Sequence, residues 1–210
     1  MPPDSPGNGF QRLLKSLNCD GRWGVALALA CALLLSTELG GEAARELLRY
    51  QRDALAAGEW WRLVTAHFVH LGLEHAVVNT LGLALLWALF ARDYDVRSWL
   101  VILAGAIGAI DLGLWVGDST LQWYVGSSGA LHGIMAAGTL ARLRRGELEG
   151  VLLALFLIGK LLYEQTVGAL PLVAGGVGVV VDAHLYGVLG GLLGAHAVAW
   201  RAPGRRPEPV

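Results

Sequence analysis

The chain has 210 residues, of which 55% are hydrophobic and only 16% charged, too apolar for an ordinary water-soluble domain of that length. A formal net charge of −1 excludes the overall field that would recruit nucleic acid or a strongly acidic partner, so the arginines matter through their placement. The apolar residues fall in blocks near the ~20 residues that a helix needs to cross a bilayer, which points to an all-α membrane protein.

In chain order, residues 1–22 carry Pro2, Pro3, Pro6, Gly7 and Gly9 and predict a short polar N-terminal tail. Six apolar segments follow at 23–40, 71–90, 99–116, 128–141, 151–167 and 183–200, before an Arg- and Pro-rich tail at 201–210. The first block follows Arg12, Lys15 and Arg22 as a signal peptide would, but it lacks a small-x-small cleavage site and is expected to be a retained span. Cys19 and Cys31 have no metal-ligand spacing and are expected to be free thiols.

Residues 41–62 differ in kind. Glu42, Arg45, Glu46, Arg49, Arg52, Asp53 and Glu59 alternate with leucines and end in Trp60-Trp61-Arg62, a pattern that predicts an interfacial loop within the 23–200 membrane domain. Residues 168–181 hold Pro171, Gly175, Gly176 and Gly178 among apolar residues, an apolar loop but a poor helix that could dip into lipid or cover a site. Trp60, Trp61, Trp99, Trp115 and Trp123 lie near segment ends and are expected to be interfacial anchors.

Six spans put Arg12, Lys15, Arg22, Arg92, Arg97, Arg142, Arg144, Arg145, Arg201, Arg205 and Arg206 on one side, and only Arg45, Arg49, Arg52 and Arg62 opposite. The positive-inside rule then places both termini in the cytoplasm. The same threading gathers polar residues at the outer ends of the second, fourth and sixth segments. His67, His70, His75 and Asn79 enter the second, Gly126-Ser127-Ser128-Gly129 opens the fourth, and Asp182 with His184 enters the sixth. Ionisable groups at membrane depth usually face a cavity and mark function.

A serine at a helix start lies beside backbone N–H groups with no intrahelical partner, able to stabilise a developing oxyanion, and flanking glycines admit a substrate backbone. Its hydroxyl needs a base, and His184 is placed to supply one to Ser127 or Ser128. His75 and Asn79, spaced i,i+4, share a helical face and could donate to the same oxyanion. Asp182 is expected to cap its helix or lie at the interface. His67 reads as interfacial, His70 as ordering the loop before the second segment, and His196 as structural. Lys160 and Glu164, also i,i+4, read as a mutually neutralising structural pair, and Asp111 has no assigned role.

Trp61-Arg62, His75-x-x-x-Asn79, Gly126-x-Ser128-Gly129 and Ala183-His184-x-x-Gly187-x-x-x-Gly191 occur in the order found in rhomboid intramembrane serine proteases, which the chain resembles over residues 60–195. The resemblance implies a six-transmembrane-helix rhomboid-like bundle, with Ser128 as nucleophile and His184 as base and then acid. It gives His75, Asn79 and the Ser128 N–H, framed by Gly126, Ser127 and Gly129, the oxyanion and substrate-positioning roles. It implies no acidic third member, no cofactor and no metal. Gly187 and Gly191 would pack the sixth helix on the fourth at Gly129 and Gly133. Where rhomboids typically have Tyr, four residues after the serine, this chain has His132. Gly126-x-Ser128-Gly129-x-x-His132-Gly133 resembles the rhombosortase branch, implying a bacterial inner-membrane enzyme whose active site faces outward and whose partners are proteins with C-terminal Gly-Gly-type membrane anchors. His70, His132 and Asp182 are then candidates for support around the site. Two other functions compete: a metal or haem protein, weakened by the absence of H-E-x-x-H, and a rhomboid-like pseudoprotease that binds transmembrane segments without cutting them.

Overall fold

The computed structural model describes residues 24–169 and 179–201, and for Trp200 and Arg201 the backbone alone. The predicted tails, Cys19 and most of the apolar loop at 168–181 lie outside the described residues. Helices dominate: α1 (Gly24–Ser36), a 3-10 turn (Thr37–Gly40), α2 (Gly41–Leu48), α3 (Arg52–Ala56), α4 (Arg62–Thr65), α5 (Leu73–Phe90), α6 (Val96–Gly117), α7 (Ser128–Arg144), α8 (Leu148–Thr166) and α9 (Asp182–Arg201). Strands β1 (Tyr50–Gln51) and β2 (Trp123–Tyr124) pair antiparallel, with Tyr50 opposite Tyr124 and Gln51 opposite Trp123.

Among the described residues, three helical runs are long and apolar enough to cross a membrane: Gly24–Leu48, Leu73–Phe90 and Val96–Gly117. Six are predicted from the sequence. The other three helices are shorter or more polar: α7 has 17 residues, and the 19 of α8 include Glu149, Lys160 and Glu164. The first run also passes position 40, continuing through the 3-10 turn into α2.

The described residues form two compact units. The first comprises those up to Tyr94 together with Trp123–Ser127. Here α1 packs on α5, and the segment between them is pinned by Arg62. The Arg62 guanidinium is buried, donates to the backbone carbonyls of Glu46 (2.7 Å) and Arg49 (2.9 Å), and pairs with Glu59 at 2.7 Å. Thr65 Oγ1 adds a bond to the Leu48 carbonyl at 2.7 Å, and Arg49 lies over the Trp123 ring, 5.3 Å from its centroid. The polar residues at 41–62 thus satisfy one another and the carbonyls at the end of α2 and the turn after it, as a helix end away from water requires.

His67 is buried and meets Tyr124 edge-to-face at 5.6 Å, because the β1–β2 pair carries Tyr124 over it.

The second unit comprises Asp95–Gln122 and the described residues from Ser128 onward. Asp95 caps α6 by accepting from the Ser98 N–H at 2.8 Å. Helix α9 packs against α6 and α7, and α7 also against α8. Ala136, Leu157 and Val188 form a small shared core. The α7–α9 crossing is made by glycines: a Cβ on Gly187 would strike the Gly129 carbonyl, one on Gly191 the Gly133 carbonyl, and one on Gly129 would lie 2.7 Å from the Ala183 carbonyl. Such small-residue faces let helix backbones meet where no hydrophobic effect drives them together.

Large apolar side chains meanwhile point outward, among them Val25, Leu29, Leu81, Leu85, Leu112, Leu155, Phe156, Leu162 and Leu193. So many large apolar side chains on the outside, with ionisable groups such as Arg62, Glu164 and His184 buried, is the pattern suited to a lipid surround.

Candidate active site

Gly126 has φ +125°, a conformation that side chains disfavour. Its N–H donates to the Ala66 carbonyl at 2.9 Å and its carbonyl accepts from the Tyr124 hydroxyl at 2.7 Å. This turn ends the β2 segment, and Ser128 is the first residue of α7. In the second unit, Ser128 Oγ is 2.9 Å from Nε2 of His184, which is 3% exposed near the start of α9. On its other side, His184 Nδ1 is 2.9 Å from Oε2 of Glu164, itself 3% exposed on α8. The second Glu164 oxygen accepts from Lys160 Nζ at 2.5 Å. Four residues from three helices form a continuous polar chain in the order lysine, glutamate, histidine, serine.

With Glu164 ionised, that order favours one tautomer. A carboxylate accepts and cannot donate, so Nδ1 of neutral His184 must carry the ring proton. Nε2 then offers its lone pair to the Ser128 hydroxyl, the polarity a general base requires.

His132, one turn after Ser128, donates through Nδ1 to the Ser128 carbonyl at 2.7 Å and stacks on His184, with centroids 4.1 Å apart and planes 16° from parallel. It therefore holds the His184 ring flat while tying down the first turn of α7.

The first unit holds a separate set. Ser127 Oγ is 3.1 Å from Nε2 of buried His70, whose backbone carbonyl accepts from Arg45 Nε at 2.7 Å. Burial first, and the neighbouring His75 second, push the His70 pKa down to about 4. His70 and His75 meet edge-to-face at 5.2 Å, and His75 Nδ1 accepts from the Leu71 N–H at 3.4 Å, leaving the proton of a neutral ring on Nε2. Asn79 is buried, with its amide donating to the His75 carbonyl at 2.9 Å.

Most predicted residues thus fall into two groups: Ser128, His184, His132 and the packing glycines Gly129, Gly133, Gly187 and Gly191 in one unit, and Gly126, Ser127, His70, His75 and Asn79 in the other. Asp182 stands apart from the chain, accepting from Gln165 at 3.1 Å.

Glu164 is the residue that sequence reasoning missed. The Lys160–Glu164 bond is present as its spacing predicts, but the second oxygen reaches His184, so an acidic neighbour stands where the resemblance implied none. The available signal was a carboxylate in an apolar block that one lysine leaves with an oxygen to spare.

His132, Glu164 and His184 also present metal-ligand-type atoms within 4.8 Å of one another. Chemically this donor set suits a divalent cation. Two considerations oppose one: the Glu164 oxygens are engaged by His184 and Lys160, and the Lys160 ammonium would repel a cation at contact range.

A family model for the Rhomboid domain matches residues 57–201. The chain belongs to the rhomboid family. It is an integral, multi-pass membrane protein of the fold used by rhomboid intramembrane proteases. YdcA of Bacillus subtilis, described as a candidate rhomboid protease, is 28% identical over 139 residues, covering 66% of this chain and 67% of that protein. The rhomboid protease GluP of the same organism is 26% identical over 188 residues, 83% of this chain but 34% of its own length. RHOMBOID-like protein 9, chloroplastic, of Arabidopsis thaliana is 33% identical over 87 residues, 40% of this chain and 19% of its own.

Proposed function

We propose that this rhomboid is a serine endopeptidase that cuts single-span membrane proteins, with Ser128 as nucleophile and His184 as base. The observation that carries this is the 2.9 Å contact between Ser128 Oγ and Nε2 of His184. A serine hydroxyl alone is a poor nucleophile, and a buried imidazole of fixed tautomer is what activates it.

In the proposed reaction, Ser128 Oγ attacks the scissile carbonyl as its proton passes to His184 Nε2. The tetrahedral oxyanion is held by the Ser128 backbone N–H and, following the family resemblance, by His75 and Asn79. His184 then protonates the leaving amine, and water activated by the same ring releases the acyl-enzyme. No cofactor takes part. Helical substrates must unwind before a protease can reach the bond, so small residues at the cleavage point are favoured.

The same proposal includes a six-span domain over 23–200, cytoplasmic tails at 1–22 and 201–210, and a site facing outward from a bacterial inner membrane. His132 in place of the usual Tyr supports assignment to the rhombosortase branch, with C-terminal Gly-Gly-type anchors as substrates.

The test is co-expression with a reporter ending in a Gly-Gly, transmembrane-helix and Arg-tail anchor, comparing wild type with Ser128→Ala and His184→Ala by release and product mass. Cleavage lost in both variants supports enzyme and branch together. Cleavage of a general rhomboid substrate but not of this reporter keeps the protease and sinks the branch. Folded protein silent on both means a binding role.

A further inference from the structure

We infer that Glu164 is a positioning residue, presented to His184 Nδ1 by Lys160 so that the base is held in one tautomer and one orientation. The inference rests on the serine-protease reading above and extends it from a serine–histidine pair to a chain anchored on α8.

Three observations support it. The Glu164 carboxylate is divided, one oxygen to His184 Nδ1 and the other to Lys160 Nζ, so the two bonds cannot be exchanged without turning the group over. Both Glu164 and His184 are 3% exposed, so the bond between them is shielded from solvent. The His184 ring has its remaining freedom removed by His132 stacked 4.1 Å away, which opposes tilting, while the carboxylate opposes rotation about the ring's own axis.

The role of Lys160 follows from charge. An ionised carboxylate buried alone in an apolar bundle would take up a proton, and a protonated carboxyl could donate to Nδ1 and reverse the tautomer. The ammonium 2.5 Å away favours the ionised form, and the pair is one helical turn long, so α8 supplies both members as a unit. During the reaction, the proton taken from Ser128 Oγ goes to His184 Nε2, giving an imidazolium next to a carboxylate that is already in place. Glu164 keeps its charge and takes no proton.

The test compares full-length wild type, Glu164→Gln, Glu164→Asp and Lys160→Met in detergent micelles, using reporter cleavage together with the rate at which a fluorophosphonate modifies Ser128. Glu164→Gln is expected to lower kcat and the modification rate by about 10²-fold or more with KM within about twofold. Glu164→Asp, which keeps the charge on a shorter arm, should fall between it and wild type, and Lys160→Met should lose less than Glu164→Gln. A purely structural residue would reduce the folded fraction and leave the per-molecule modification rate unchanged.

A measurement on the unaltered protein guards against variants that fail to fold: 15N-histidine NMR, with the His184 signal assigned by its loss in His184→Ala. The Nδ1–H tautomer is expected, and an Nε2–H tautomer overturns the inference. Folded Glu164→Gln that cuts and reacts at the wild-type rate overturns it too, leaving the serine–histidine reading intact. A wild type unreactive at Ser128 and inert on every substrate overturns both.

Discussion

A carboxylate oxygen of Glu164 lies 2.9 Å from Nδ1 of His184, and on the far side of the same ring Nε2 lies 2.9 Å from Ser128 Oγ. One side of the imidazole thus faces a carboxylate and the other a hydroxyl, the arrangement in which the proposed mechanism has the serine and the histidine act as a single unit. Ser128→Ala and His184→Ala should each lower kcat by on the order of 10⁴-fold or more, and the double variant by little beyond either single one. Steady-state cleavage by purified variants, with thermal unfolding as a control for folding, checks this. Losses that multiply in the double variant would mean that the two side chains act separately.

Gly187 tests whether the helix crossing sets that geometry. Its missing Cβ would strike the Gly129 carbonyl, one residue after Ser128, and backbone cannot swing aside as a side chain can. Gly187→Ala should destabilise the second unit by about 1–3 kcal/mol, and Gly187→Val by more, through overpacking. Kcat should fall as α9 is displaced from α7. Unfolding in mixed micelles gives the first quantity, and full activity with unchanged stability in Gly187→Val would contradict the crossing described.

Much of this was legible in the residues. The apolar block at 71–90 becomes Leu73–Phe90 and that at 183–200 becomes Asp182–Arg201, because long runs without Pro leave little choice of conformation. The block at 128–141 is extended to Arg144, since Arg142 and Arg145 pair with Glu147 at 3.0 and 2.5 Å and complete the turn into α8. Hydropathy registers three arginines there only as a polar boundary. The serine and histidine stand out because each combines with glycines at fixed spacing. Glu164 does not stand out, because an i,i+4 pair specifies which residues share a face but not what a third helix brings to it. His67 is hidden for a similar reason: its burial depends on Tyr124, reached by strand pairing across more than fifty residues.

Arg62 is expected to be the costliest single substitution in the first unit. It serves two backbone carbonyls and one carboxylate from a buried position. Arg62→Leu would leave those acceptors without their donor and should cost about 3–5 kcal/mol. Arg62→Lys should recover only part of this, because an ammonium cannot reproduce the guanidinium fork. Thermal unfolding and protease sensitivity of residues 41–62 would show the loss, and equal stability for Arg62→Leu would remove the pinning role.

Cleavage should be indifferent to metal removal. The donor atoms of His132, Glu164 and His184 lie within 4.8 Å of one another, but a cation held by them would need the groups that the proposed mechanism uses as the base and its support. EDTA or 1,10-phenanthroline should leave the rate unchanged, whereas added Zn²⁺ should inhibit if it displaces Lys160 from Glu164. Activity lost on chelation and restored by zinc would reverse the assignment of these three residues from hydrogen bonding to coordination.

His70 gives a pH dependence of stability with a definite sign. Its pKa is about 4 in the folded protein against an ordinary value of 6.5, lowered by burial first and by His75 second. Between these values the unfolded chain binds the proton and the folded chain does not, so stability rises with pH across this window. Above pH 6.5 the ring is neutral in both states and the dependence vanishes; falling from 6.5 towards 4, stability drops by up to about 1.4 kcal/mol per pH unit, and below 4 this contribution levels off. Protonation would also turn Nε2 into a donor only, changing the bond to Ser127 Oγ from either polarity to one. His70→Gln should flatten this part of the profile while keeping a polar group near Ser127. Unfolding midpoints at half-unit steps from pH 4 to 8, for both proteins, would reveal the difference; parallel curves would show that His70 does not report its burial through protonation.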